Sequence, residues 1–402
     1  METTKKNVPA LRFPQFEGKW EKKRLGNISE NVEYGIPASA IPYDGINKYL
    51  RITDIDSISR TFSPNPLTSP EGNNIDARFY LKANDIVFVR TGASVGKTYL
   101  YREEDGNIIF AGFLIRFSIN KADSRFVFYN TLTYKYDKWV LSMSMRSGQP
   151  GINAKEFKTF NITFPTLPEQ QKIADFLTTT DKRIELLQKK KDLCEQYKKA
   201  MMQKLFSQEL RFKDENGKEF PKWEVKRLGN VFAHRSERGH ENLELLSVTM
   251  NEGVKKRSDI EGKDNSSEDK SNYKRVIAND IVYNSMRMWQ GASGLSPYSG
   301  IVSPAYTVLE PKLNTHSLYF AYLFKMRDII HIFQRNSQGL TSDTWNLKYP
   351  QLSKIKVNVP SLPEQKKITD FLIALDKKIE LVDKEIEQSE RFKKYLLQNL
   401  FV

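Results

Sequence analysis

The chain has 402 residues, with 63 Lys and Arg against 49 Asp and Glu for a formal charge of +14, and 39% of it is hydrophobic. That length allows two to three domains with sizeable cores and excludes wholesale disorder, while the charge favours a polyanionic partner, nucleic acid foremost. One cysteine, Cys194, excludes an internal disulfide, and with a polar start and no run of about 18 apolar residues the protein reads as cytoplasmic.

Taken in chain order, the first landmark is Leu11-Arg-Phe13, followed by Trp20 and Leu25-Gly26. Pro64 to Asn74 reads as a loop, and Asp85-Ile-Val-Phe-Val-Arg90 as a short β-branched strand. Gly92-Ala-Ser-Val-Gly96-Lys97-Thr98 follows. It has one residue too few between its glycines for a phosphate loop, so a turn is expected instead. Phe126 to Trp139 has helical spacing. Pro165-Thr-Leu-Pro-Glu-Gln then opens a long helix that is expected to run about 38 residues, with Pro168 in its first turn and Glu169 facing the positive helix end.

The landmarks then return. Leu210-Arg-Phe212, Trp223 and Leu228-Gly229 repeat the opening, and Lys82-Ala-Asn-Asp-Ile-Val87 is echoed by Ile277-Ala-Asn-Asp-Ile-Val282. Asp280-Ile-Val-Tyr-Asn284 reads as a strand, Glu261 to Asn272 as a loop, and Leu318 to Phe333 as helical. Pro360-Ser-Leu-Pro-Glu-Gln restarts the long helix, and the two copies match without a gap to Phe206 and Phe401, roughly half the residues being identical. Ile368, Leu375, Val382, Ser389 and Leu396 recur every seven residues, as do Ile173, Thr180, Leu187, Cys194 and Met201 in the first copy, which makes a coiled-coil seam.

The expected fold is α+β. Two divergent domains, α/β or mostly β with helical insertions, occupy residues 1–164 and 207–359, and two long antiparallel coiled-coil helices occupy 165–206 and 360–402 in a pseudo-twofold repeat. A helical hairpin with no further role is the plain alternative, but two unlike heads on a twofold frame suit a two-part DNA site.

Catalytic motifs are missing. There is no dinucleotide fingerprint and no Asn-Pro-Pro-aromatic tetrapeptide. The four histidines, His234, His240, His316 and His331, lack metal-ligand spacing with the cysteine. The acidic pairs Asp54/Asp56 and Glu103/Glu104 read as surface or loop residues.

The repeated openings, the Leu-Pro-Glu-Gln helix starts, Arg90-Thr-Gly-Ala-Ser-Val-Gly-Lys97 and Tyr283-Asn-Ser-Met-Arg-Met-Trp-Gln-Gly291 together resemble the specificity subunits of Type I restriction-modification systems over nearly the whole chain. The resemblance implies two target-recognition domains, each reading one half of a bipartite site, with the helices setting the gap. It further implies two modification subunits carrying S-adenosylmethionine chemistry and two restriction subunits using ATP and Mg, with no catalytic, cofactor or metal site in this chain.

By position in the matching segments, the DNA-facing candidates in the first domain are Arg90, Lys97, Thr98, Arg146, Ser147, Gln149 and Asn153. Those in the second are Asn284, Arg287, Trp289, Gln290, Arg335, Ser337 and Gln338. Arg suits guanine, and Asn or Gln suits adenine. Tyr34, Lys48, Tyr49 and Arg51 form an aromatic-basic patch suited to the DNA backbone, and Leu193, Tyr197 and Phe392 suggest a partner-facing helix surface. A self-sufficient nuclease or methyltransferase, and a scaffold that never meets DNA, are the competing readings.

Overall fold

The structure is a computed structural model describing residues 7–402 except 73, 146–148, 251–252, 265 and 342–343. The described chain forms two compact units, residues 1–189 with 383–402, and residues 190–382.

Each unit is built on the same four-stranded antiparallel sheet. In the first unit the strand order is Ser29–Tyr34, Leu114–Ile119, Asp85–Val89, Thr98–Leu100. In the second it is Phe232–Arg235, Tyr306–Pro311, Ile281–Asn284, Ser293–Leu295. The central strands Asp85–Val89 and Leu114–Ile119 are buried on both faces, as their near-continuous apolar runs require. Phe88, Phe117 and Phe157 meet there, Phe88 lying 5.0 Å from each of the others. Burying each such ring contributes about 2 kcal/mol. The outer strand pairs differ between units. Lys48–Leu50 runs parallel to Ile108–Phe110, whereas Lys274–Val276 runs antiparallel to Gly300–Val302.

A two-stranded clasp joins the opening of each half to the segment entering its long helix: Glu21–Arg24 with Asn161–Phe164, and Glu224–Arg227 with Lys356–Val359. The long helices run Leu167–Phe206 and Leu362–Asn399, placing Pro168 and Pro363 in the first turn, where a missing N–H costs nothing. The heptad positions are the less exposed ones. Ile173, Thr180, Leu187, Leu205, Ile368, Val382, Ser389 and Leu396 are buried, and Cys194, Met201 and Leu375 are half-buried. Each unit pairs the start of one long helix with the end of the other, as antiparallel helices do: Phe176 meets Phe392 in the first unit, and Lys198 meets Asp376 in the second.

Two expected helices are each broken in two. Phe126–Trp139 falls on Ser124–Asn130 and Tyr134–Ser144, because the Thr133 side chain accepts the Tyr136 N–H and caps a fresh helix. Leu318–Phe333 falls on Ser317–Leu323 and Arg327–Asn336. No described helix is long and apolar enough to cross a membrane.

The repeated motifs hold this frame together. Arg12 grips Glu169 with two hydrogen bonds of 2.7 Å, and Arg211 grips Glu364 at 3.0 and 2.9 Å. The glutamates facing each helix start are thus also paired, and they must be, since Glu169 and Glu364 are 1% and 0% exposed. The next residue ties the helix start to the domain. Gln170 donates to Pro165 O and accepts from Asp123 N, and Gln365 donates to Pro360 O and accepts from His316 N.

Candidate nucleic-acid interface

The shared Ala-Asn-Asp echo is a turn that launches the central strand of each sheet. Asn84 and Asn279 take the left-handed conformation, at φ 70° and 76°, which asparagine tolerates better than most residues. The following Asp85 and Asp280 carboxylates accept the N–H three residues back, from Lys82 and Ile277. Burial pushes both carboxyls up, and the hydrogen bonds oppose it. The strands so aimed end at equivalent positions, 90 and 285, where each main-chain carbonyl accepts an N–H from the segment before the long helix: Ile152 N to Arg90 O at 2.8 Å, and Leu347 N to Ser285 O at 2.9 Å. In both units two loops distant in sequence are therefore laid side by side.

In the first unit the pairing continues as Thr91 opposite Gly151 and Gly92 N to Pro150 O. The Arg90 guanidinium stacks over the Tyr34 ring at 5.2 Å and donates to Gly112 O at 3.2 Å, leaving its outer edge available. Tyr34 is 40% exposed, and its hydroxyl accepts the Ala154 N–H. Gln149 is exposed beside Gly92. Asn153 is half-buried and caps the short helix Ala154–Phe157 through Glu156 N, so its carbonyl oxygen is already used. Arg146 and Ser147 lie outside the described residues.

Lys97 and Thr98 are placed differently. The Lys97 ammonium is partly buried and donates to Ile55 O at 2.8 Å. Burial pushes its pKa down, as does Arg60 nearby, against an opposing effect of Asp56. Its role here is to hold the 52–57 loop. Thr98 is corrected outright: at 0% exposed it begins a core strand, and its hydroxyl pairs with that of Thr131 at 2.7 Å. The glycine-lysine-threonine run is a turn between two strands, with Gly92 and Gly96 at φ 81° and 83° and no helix after it. The basic patch is corrected too. Tyr49 is buried with its hydroxyl on Ile36 O and Ala38 O, Arg51 grips Asp54, and Lys48 donates to Asp105 O; Tyr34 alone stays exposed.

In the second unit, residues 285–291 form a turn around Met288–Gln290, packed against the helix Arg327–Asn336. Asn284 accepts the Met286 N–H. Trp289 is half-buried, donates to Met286 O at 3.0 Å and meets the Trp345 edge at 5.2 Å, so it supports the loop. Arg287 and Gln290 project outward. Gln338 is exposed and pairs its backbone with Asn346, and its side-chain carbonyl accepts from Gln351. The Ser337 hydroxyl is spent on Phe333 O. Arg287 and Arg335 are exposed, and among the described residues no ion pair or side-chain hydrogen bond engages either guanidinium.

Two residues escaped the sequence reading. Arg60, at φ 60°, stands beside Lys97, and Trp345 buttresses Trp289. Only a contact map would have paired them with their loops. Of the acidic pairs, Glu103 and Glu104 are exposed as expected, whereas Asp54 is not at the surface. Asp54 is buried against Arg51, and no cluster of potential metal ligands occurs among the described residues.

Comparison with known proteins gives a consistent result. A family model described as Type I restriction modification DNA specificity domain matches twice, over residues 17–196 and 221–391. The putative type I restriction enzyme MjaX specificity subunit of Methanocaldococcus jannaschii is 25% identical over 95% of this chain and 92% of its own. The type I restriction enzyme MjaVIII specificity subunit of the same organism is 24% identical over 98% and 94%. Among solved structures, the S subunit of a Type I restriction-modification system from M. genitalium shares the fold with a TM-score of 0.60 at 17% identity, covering 98% of this chain and 99% of that one.

Proposed function

This chain belongs to the Type I restriction-modification DNA specificity family, and from that premise we propose that its two domains each read one half of a two-part DNA site while the long helices fix the gap and dock partner subunits. It is a specificity subunit with two recognition domains and no catalysis of its own. The observation that carries the finer reading is the equivalence of frame without equivalence of surface. The same strand-end and cross-loop hydrogen bond present Arg90 over Tyr34 in one unit and Ser285 followed by exposed Arg287 in the other. A scaffold has no need of two differently worded surfaces on one frame.

Arg90, Gln149, Arg287, Gln290, Arg335 and Gln338 are the side chains we assign to the DNA, because they carry bidentate or amide groups at these loop edges. The repeated exposed residues Leu186 and Leu381, and Tyr197 and Phe392, suit docking of two copies of a modification subunit. That partner would supply S-adenosylmethionine chemistry, and two restriction subunits the ATP- and Mg-dependent steps.

The test is methyl transfer onto a random DNA library by this chain assembled with its neighbouring modification subunit. Methylation by the complex alone, at a two-part motif of fixed gap, supports the reading. A complex that modifies nothing and binds no sequence selectively at moderate salt overturns it.

A further inference from the structure

One cluster of polar side chains recurs in both units and belongs to neither reading surface. In the first unit Asp181, on the first long helix, accepts the Tyr129 hydroxyl at 2.8 Å and the Lys393 ammonium at 2.6 Å. In the second unit Asp376, on the second long helix, accepts the Tyr322 hydroxyl at 2.5 Å and pairs with the Lys198 ammonium. Lys198 also lies 5.3 Å over the Tyr322 ring. Asp181 and Asp376 are equivalent in the repeat, and so are Lys198 and Lys393.

Each cluster draws on three elements: one long helix for the aspartate, the other for the lysine, and a short helix of the recognition domain for the tyrosine. An ion pair within one helix, such as Lys182 with Glu185, fixes nothing beyond that helix. A carboxylate shared by three elements fixes the angle at which the third leaves the other two. Burial and the neighbouring carboxylate both push the two phenols' pKa up, so each stays a hydrogen-bond donor.

Other contacts hold the same joint: Arg125 pairs with Asp175 in the first unit, and each recognition domain shares a hydrophobic core with the start of its long helix. Gln170 and Gln365 already bind each recognition domain at the first helical turn. Asp181 and Asp376 lie 11 residues further on, about 16 Å along the axis at 1.5 Å per residue. Core packing is non-directional, whereas two hydrogen bonds set apart along the helix resist rotation about either one.

We propose that Asp181 and Asp376 are positioning residues that set the orientation of each recognition domain on the long helices, and thereby how strictly the protein discriminates the length of the gap between half-sites. This rests on the reading of the chain as a two-part DNA-recognition subunit. The hydroxyl bonds are charge-assisted and only partly exposed, so losing one loosens the angle without removing any base-reading group.

The test uses the full chain assembled with its modification subunit. The unmodified complex first defines its motif on a random library. Methylation is then measured on duplexes with the native gap and with gaps one base pair shorter or longer, for Tyr129→Phe, Tyr322→Phe and Asp181→Asn, with Lys393→Arg as the charge-preserving control. The preference for the native gap should fall about tenfold in the first three, with the half-site words unchanged, and should persist in the control. Tyr129→Phe, which removes one oxygen, covers the case in which Asp181→Asn fails to fold. Equal loss at every gap, or no change, overturns the proposal. Failure of the unmodified complex to yield any two-part motif overturns the recognition reading itself, and the two failures are distinct.

Discussion

Replacing Arg12 by alanine strips the buried Glu169 carboxylate of both its guanidinium hydrogen bonds, and also frees the carbonyls of Glu17 and Gly18. Glu169 is 1% exposed and cannot recover water, so the cost is that of an uncompensated buried charge, about 3 kcal/mol. The Arg211–Glu364 pair has longer contacts, and its arginine is more exposed, at 24% against 15%. Arg211→Ala should therefore cost less, about 2 kcal/mol. Each loss belongs to one unit, so hydrogen exchange read peptide by peptide is the suitable assay: Arg12→Ala raises exchange in residues of the first unit and Arg211→Ala in those of the second. The paired replacement Arg12→Met with Glu169→Leu should regain most of the loss, because no charge is then stranded. A loss under about 1 kcal/mol for Arg12→Ala, or a double variant as unstable as the single, would refute the reasoning.

Four further outcomes are expected. Gly96→Ala would place a methyl group 2.6 Å from Val140 at φ 83° and should destabilise by about 2–3 kcal/mol, whereas Gly92→Ala meets only Gln149 at 3.5 Å and should cost about 1 kcal/mol; urea midpoints decide, and equal costs would contradict the packing argument. Arg287→Ala in the methylating complex should relax preference at one base of the second half-site by roughly 10- to 100-fold and leave the first half-site alone. Thr98→Val should alter neither word, and a changed first word would return Thr98 to the surface. Burial depresses the pKa of His234 and His316, so the unfolded chain takes those protons first as pH falls. Their contribution is intact above about pH 6.5 and is lost as pH falls below it. His316→Gln should shrink the drop in urea midpoint between pH 7.5 and 5.5, and an unchanged drop would count against it.

The frame was open to sequence reading because it is written twice. Equivalent heptads and the Leu-Pro-Glu-Gln starts mark both long helices, and period-seven spacing translates directly into a buried seam. What the motif residues touch was not legible: Glu169 suggested a helix-end charge, and only the fold brings Arg12 to it across 157 positions. Thr98 shows a different difficulty. Its place beside Lys97 looked like a binding loop, but a strand begins there, and the register opposite Phe88 turns its side chain into the core. Tyr49 and Arg51 went the same way, since a basic-aromatic run looks identical whether its partners are phosphates or the chain's own carbonyls and Asp54.

The two units also differ in how the chain enters them. The second is one uninterrupted stretch, 190–382, whereas the first takes in residues 383–402 after it. Phe401 lies 5.2 Å from Phe126, Leu396 and Leu400 complete the same core, and the Leu11 N–H is held by Asn399 O. A ribosome releases residues in order, so the half encoded first is the half finished last. Until Leu396 to Phe401 emerge, the core around Phe126 lacks part of its cover, while the stretch 190–382 is already complete. Losing Leu396, Leu400 and Phe401 would therefore injure the unit whose remaining core comes from residues more than 200 positions earlier.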